Sequence, residues 1–262
     1  MNLYQIKEYL SYLFNGKYWR GFGIHSPFVF DLIANLARET YPYYAFEEIR
    51  AWRTALEKSK VKIEVTDLGA GSHHTKKSRR SIGSIARNTA IPPKFGEFIF
   101  RLVARNRPAN ILEIGTSLGI STSYLSLANT SATVTTLEGC PQTAAMAKHT
   151  FESLNIKNVR LVEGPFDTTL ADVVQQMPSA DLVLFDGNHR KKPTLDYFQI
   201  CLTKVTNHSI FIFDDIHWSK EMTEAWTEII NHPEVTVSVD LFRIGLVFFK
   251  KECKKQHFTV LF

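Results

Sequence analysis

Cysteine is scarce. The 262 residues contain three, Cys140, Cys201 and Cys253, far apart and odd in number. That argues against a disulfide framework and for a reducing compartment, and the spacing is not that of a metal site. Long apolar runs are missing too: no stretch of eighteen apolar residues occurs, so no transmembrane helix and no membrane partner is expected. Met1 to Asn15 mixes Lys7 and Glu8 with apolar residues and lacks the charged–apolar–small order of a secretory leader. A cytoplasmic location is the expectation. No internal repeat or low-complexity tract is present. Two glycine signatures are also absent: the Gly-x-Gly-x-x-Gly of dinucleotide folds and the Gly-Lys-Ser/Thr ending of a phosphate-binding loop. Charge of one sign is in small excess, a net +5, carried largely by Lys76, Lys77, Arg79, Arg80 and by Lys250, Lys251, Lys254 and Lys255. No nucleic-acid-binding motif accompanies these residues. They read as solvated loops, and nucleic acid is not an expected partner.

What is present is a globular composition, 44% hydrophobic and 22% charged, enough for a sizeable core. The length suits one large α/β domain with an appended segment. The organising stretch runs from Asn110 to Thr122. Asn110 to Ile114 carries three aliphatics, too few for a helix and typical of a buried parallel strand. Gly115 permits a sharp turn, and Gly119 permits close approach of a helix or ligand. The amides that open the following helix suit a polar or anionic group. The spacing is Glu113-x-Gly115-x-x-x-Gly119. A second glycine turn, Asp67 to Ser72, follows the apolar run Val61 to Val65, but the next residues, His73 to Arg80, are polar and basic with no apolar face. That copy reads as a loop or lid.

Residues 1–90 read as a helical segment and basic loop, and 91–262 as the α/β core. In the first part, Leu3, Ile6, Tyr9, Leu10 and Leu13 fall at helical spacing, Ser26 and Pro27 open a second helix, and Phe46 to Lys58 forms a third. This aromatic-rich segment could cap a substrate pocket, form a homodimer surface, or simply pack on the core. In the second part, strands at 110–114, 134–137, 159–162, 182–185 and 210–213 alternate with helices. Strands 235–240 and 244–249, separated only by Leu241 to Arg243, close the chain as a hairpin. The class is α/β: a doubly wound, seven-stranded, mostly parallel Rossmann-like sheet with a terminal antiparallel hairpin and an N-terminal helical extension.

Ligands of such sheets bind at the carboxyl ends of the strands. The ends here are Glu113 with its glycine turn, Glu138-Gly139, Glu163-Gly164-Pro165-Phe166, Asp186-Gly187-Asn188-His189 and Asp214-Asp215. An acid like Glu138, a little over twenty residues past the turn, is placed to accept hydrogen bonds from ribose hydroxyls. His189 reads equally as a structural or a catalytic histidine. Across about residues 91–250 the chain resembles class I S-adenosylmethionine-dependent methyltransferases, and within them the small-molecule O-methyltransferases with an Asp-Gly-x-His segment after strand four.

That resemblance implies a set of roles. Glu113, Gly115, Thr116, Ser117 and Gly119 would surround the methionine part of S-adenosylmethionine. Glu138 and Gly139 would meet the ribose, Gly164, Pro165 and Phe166 the adenine, and Asp186 and Gly187 the cofactor's edge. In catechol-type relatives the acid after strand four and an acid–amide pair after strand five bind a divalent metal. Asp186, Asp214 and Asp215 fall at those places, with Asp215 where the relatives have Asn, and would suit Mg²⁺ or a similar cation. The alternative is that Asp186 only edges the cofactor and Asp214 is a structural cap. The general-base lysine of those relatives is missing, and His189 lies near its place, so His189 and Asp186 are the catalytic candidates. The acceptor would be a small hydroxylated molecule, with Phe22, Phe28, Tyr43, Tyr44 or Trp218 as candidate walls. The competing functions are an NAD(P)-dependent oxidoreductase and a non-enzymatic nucleic-acid-binding protein on the same fold.

Overall fold

The structure, a computed structural model, describes residues 3–16, 23–66 and 77–262. They form two compact units, Tyr41–Pro178 and a second made of Met1–Thr40 with Ser179–Phe262. Among the described residues no helix is long and apolar enough to cross a membrane.

The chain begins with helix α1 (Leu3–Asn15) and helix α2 (Pro27–Asp31), which runs on into a π-helical turn at Leu32–Leu36. Ser26 caps α2 as its type suggests, its hydroxyl accepting from the Val29 amide at 3.4 Å. Gly21 and Phe22 fall outside the described residues.

Unit Tyr41–Pro178 opens with helix α3 (Tyr44–Lys58), strands β1 (Lys62–Thr66) and β2 (Lys77–Ser81), and helices α4 (Ile82–Asn88) and α5 (Pro93–Asn106). The basic stretch was expected to be loop throughout, and the glycine turn Asp67–Ser72 with residues 73–76 lies outside the described residues. Lys77–Ser81, however, is a strand: it pairs antiparallel with β1, Lys62 opposite Ser81 and Thr66 opposite Lys77. Backbone pairing, which needs no apolar period, holds it there. The unit continues through strand β3 (Asn110–Ile114), helix α6 (Ile120–Ala128), strand β4 (Thr133–Glu138), helix α7 (Pro141–Ser153), strand β5 (Val159–Glu163) and helix α8 (Phe166–Gln176). β3, β4 and β5 pair in parallel and in register, Ile114 beside Leu137 and Glu138 beside Glu163. Ile111, Leu112 and Ile114 are wholly buried, each contributing roughly 2 kcal/mol of apolar burial. α5 lies close against α6. At Gly96 any added Cβ would strike the Tyr124 ring, so the glycine is what lets the two helices approach.

The second unit continues from the N-terminal helices through strand β6 (Leu182–Phe185), helix α9 (Lys191–Leu202), strand β7 (Ile210–Phe213), helix α10 (Lys220–Asn231) and strands β8 (Val237–Asp240), β9 (Gly245–Phe248) and β10 (Gln256–Thr259). β6 and β7 are parallel, and β9 runs antiparallel to both β7 and β8, which gives the expected hairpin. β10 was not expected; it adds a parallel strand beside β8. Phe185 and Phe213 stack at 4.3 Å between ring centroids, so the β6 and β7 ends are held together by an aromatic pair as well as by backbone bonds. α1 packs within this unit. Tyr12 is buried, and its hydroxyl donates to the Val260 carbonyl and accepts from the Phe262 amide.

Candidate functional site

In unit Tyr41–Pro178 the three strand ends are laced together. The Gly115 and Thr116 amides both donate to the Leu137 carbonyl at 3.1 Å, and the Gly164 amide donates to the Glu138 carbonyl at 3.0 Å. The Glu138 carboxylate accepts from the Ser117 amide at 2.7 Å and from the Cys140 amide at 2.9 Å. Burial raises this carboxyl above its ordinary range, while those amides, the Thr143 hydroxyl and the Gly139 amide oppose the rise.

The turn depends on backbone freedom at Gly119. Its φ is +81°, and an added Cβ would sit 2.8 Å from the Phe151 ring. Ser117 is also left-handed, with φ 48°, which aims its amide at Glu138. The loop is tied from α7 by the Thr150 hydroxyl, which donates to the Leu118 carbonyl at 2.7 Å.

Glu113 lies beneath the turn with no exposed surface. The Thr116 and Thr136 hydroxyls are 2.6 Å apart, Thr136 donates to Glu113 at 2.6 Å, and Thr122 donates to the same carboxyl oxygen. Burial pushes this carboxyl up to about 7, with the Ser121, Thr122 and Thr136 hydroxyls opposing. Glu113 is therefore a buried brace for the turn. At the third strand end Gly164 has φ 142°, and Pro165 and Phe166 open α8, with the Thr168 and Thr169 hydroxyls donating to the Pro165 carbonyl. β1 meets the same end of the unit: the Thr66 amide lies 3.4 Å from the Cys140 sulfur, and the Glu64 amide donates to Gln142 at 2.6 Å.

The second unit presents the other set of candidates. Asp186, Gly187, Asn188 and His189 follow β6, with Asn188 left-handed at φ 52° and its side-chain amide donating to the Tyr197 hydroxyl at 3.2 Å. His189 Nε2 stands 3.8 Å from Asp186 Oδ1. Asp214 is 2% exposed, and its amide donates to the Phe185 carbonyl. Asp215 is left-handed at φ 53°. Burial and the Asp214 charge push its carboxyl up to about 6, while His189 and Arg243 pull it down.

Arg243 was not anticipated. It reaches from the β8–β9 turn, donating through Nε to Asp214 Oδ1 at 3.1 Å and through Nη2 to Asp214 Oδ2 at 3.0 Å. Its Nη2 is also 3.6 Å from Asp215 Oδ1. The sequence carried the signal only as a lone cation in a three-residue hairpin turn. This arrangement corrects the expected metal cage: both Asp214 oxygens already serve a guanidinium. Among the described residues no group of three or more His, Cys, Asp and Glu side chains could hold a metal ion. Asp186, Asp214 and Asp215 therefore do not fit a divalent cation.

Of the aromatic candidates, Phe28 packs edge-on against Phe248, Tyr43 packs on Phe46 and Phe100, Tyr44 is exposed, and Trp218 is half exposed with its carbonyl held by Gln5. Phe22 lies outside the described residues.

Residues 112–216 match the family model described as a methyltransferase domain. No curated protein sequence matches the chain. Among solved structures, it is similar to an O-methyltransferase from Bacillus cereus in complex with S-adenosylhomocysteine (TM-score 0.57, 20% identity, 80% of this chain and 92% of that one). It is similar also to the S-adenosylhomocysteine-bound methyltransferase PaMTH1 of Podospora anserina (TM-score 0.61, 15% identity, 87% and 97%). A third is the O-methyltransferase TomG of Streptomyces achromogenes, involved in tomaymycin synthesis, in complex with S-adenosylmethionine (TM-score 0.55, 17% identity, 62% and 82%). At such identities these likenesses establish the fold. Residues 112–216 thus match a methyltransferase domain, and the chain shares the fold of these methyltransferases solved with S-adenosylmethionine or S-adenosylhomocysteine.

Proposed function

We propose that this protein transfers the methyl group of S-adenosylmethionine to a hydroxyl oxygen of a small molecule in a reducing, cytoplasmic setting. The observation that carries the reading is Glu138, half-buried at the end of β4 and bonded to the Ser117 amide of the glycine turn. The names of the similar structures from Bacillus cereus and Streptomyces achromogenes support the choice of oxygen as acceptor atom.

The donor set fits the cofactor. Gly115, Thr116, Ser117 and Gly119 supply a polar turn for the methionine part, above the Glu113 brace. Glu138 and Gly139 take the ribose hydroxyls, and Gly164, Pro165 and Phe166 border the adenine. When bound, the sulfonium supplies an already activated methyl group. The protein's own work is then alignment and deprotonation. His189 takes the acceptor's proton, and Asp186, 3.8 Å from its Nε2, stabilises the imidazolium that forms. Once deprotonated, the acceptor oxygen would receive the methyl group that the bound cofactor would supply. No step runs through a divalent cation, because Asp214 is already paired.

Calorimetric titration with S-adenosylmethionine tests the reading, with Glu138→Ala expected to weaken binding about tenfold, the loss of charged hydrogen bonds. A screen of phenols and hydroxylated metabolites with labelled cofactor would identify the acceptor. Labelled product bearing the methyl on nitrogen or carbon would refute the oxygen assignment.

A further inference from the structure

We infer that Arg243 is this protein's resident cation, standing among the three acids that would otherwise hold a divalent metal, so that any positive charge met by the acceptor oxygen comes from a guanidinium. As a statement about the acceptor this rests on the methyltransferase reading; as a statement about metal binding it does not.

The first support is the pairing. A divalent cation of the Mg²⁺ type needs near-octahedral oxygens at about 2.0–2.1 Å. Both oxygens of Asp214 are instead aligned with Nε and Nη2 in the two-pronged geometry of an arginine–carboxylate pair. Arg243 also feels the charges of Asp215 and Asp186, and the three acids together hold it charged against the cost of its burial. All three members of the expected metal set thus act on one side chain. A cation placed among them would have to displace the guanidinium or sit against a like charge.

The second support is how firmly the β8–β9 turn is built. Phe242 has φ 67°, a conformation disfavoured for a bulky residue that persists only where the surroundings impose it. They do. The Phe242 amide donates to Asp240 Oδ1 at 2.7 Å, and its ring stacks on His217 at 5.4 Å and meets Tyr9 and Tyr12 of α1. His217 in turn bonds Asp240 Oδ2 at 2.8 Å through Nε2. The Arg243 carbonyl accepts from the Ile216 amide at 3.2 Å. On the far side, Trp226 fills the space where a Cβ on Gly245 would stand. A strained turn fixed on every side delivers its next residue to one place, and that place is Asp214.

The pairing leaves one donor group over. Arg243 Nη1 makes no hydrogen bond or ion pair among the described residues, and the side chain is 30% exposed. An oxygen that approached Nη1 would gain a charge-assisted hydrogen bond that favours its deprotonated form. This is the service a metal performs in catechol-type relatives, supplied here by a side chain.

The test is a manganese titration of the full-length protein, with and without S-adenosylhomocysteine, followed by the paramagnetic resonance of free Mn²⁺. The expected result is no stoichiometric binding to the wild type, and turnover unaffected by EDTA once an acceptor is found. In Arg243→Met, which removes the charge and keeps the stem, Mn²⁺ binding at one per chain would support the inference by showing that the acids are competent once the guanidinium is gone. If that variant fails to fold, the wild type decides alone. One Mn²⁺ per wild-type chain, lost in Asp186→Asn, would overturn the inference. One Mn²⁺ kept unchanged in Asp186→Asn is bound elsewhere and leaves the inference standing. Calorimetry with S-adenosylhomocysteine on the same samples separates the two readings: loss of that binding would sink the methyltransferase proposal and leave the metal result intact.

Discussion

Glu113 is charged only at a cost. Its folded carboxyl is pushed up to about 7 by burial, from an ordinary value of 4.5. Between those values the folded state holds a proton that the unfolded chain has released, so stability falls as pH rises through the window, and the cost is fully present above about 7. It is on the order of 3 kcal/mol, since each pH unit between the two values is worth about 1.4 kcal/mol. Glu113→Gln keeps an acceptor for Thr122 and Thr136 and removes the ionisation. Thermal melts from pH 5 to 8 should therefore show a slope in the wild type that the variant lacks; parallel profiles would refute the buried-brace role. Asp214 acts through its two-pronged pairing with Arg243. Asp214→Asn leaves Arg243 with Asp215 and the charge of Asp186, and urea unfolding should show a loss of about 2–3 kcal/mol, reduced from a fully buried pair because Arg243 is partly exposed. No loss would mean that the pair contributes nothing to stability.

Elements were legible where an apolar period set them. Each parallel strand is a short apolar run closely followed by a polar residue or glycine, and the segments between them carry apolar residues at helical spacing, so β3 to β9 could be read directly from the chain. β2 and β10 could not. Lys-Ser-Arg-Arg-Ser and Gln-His-Phe-Thr have no such run, and backbone pairing with a neighbour far along the chain makes them strands. Glu138 was legible because its distance from the glycine turn is fixed by one strand–helix–strand crossover. Arg243 was not, because its partner lies 29 residues away and only the folded turn brings them together. Two substitutions test elements. Gly119→Ala combines a φ of +81° with a Cβ 2.8 Å from the Phe151 ring; it should shift the turn, lower the melting temperature by several degrees, and weaken cofactor binding. Tyr12→Phe removes the hydroxyl that joins α1 to Val260 and Phe262, at a cost of about 1–2 kcal/mol. Hydrogen exchange should then speed up in α1 and β10 first; uniform change across the chain would contradict a local tie.

For the whole molecule, what the fold supplies is a set of strand ends, and the proposed methyl transfer rests on the residue at each one. The acceptor is written in neither. It is chosen by side chains brought together by tertiary packing, and fold alone does not decide between acceptors. The most direct measurement is calorimetry of the full-length protein with S-adenosylmethionine and S-adenosylhomocysteine, wild type beside Glu138→Ala. One site per chain, weakened about tenfold in the variant, is the predicted result. Failure of the wild type to bind either molecule, or equal binding by Glu138→Ala, would contradict the assignment of Glu138 to the ribose.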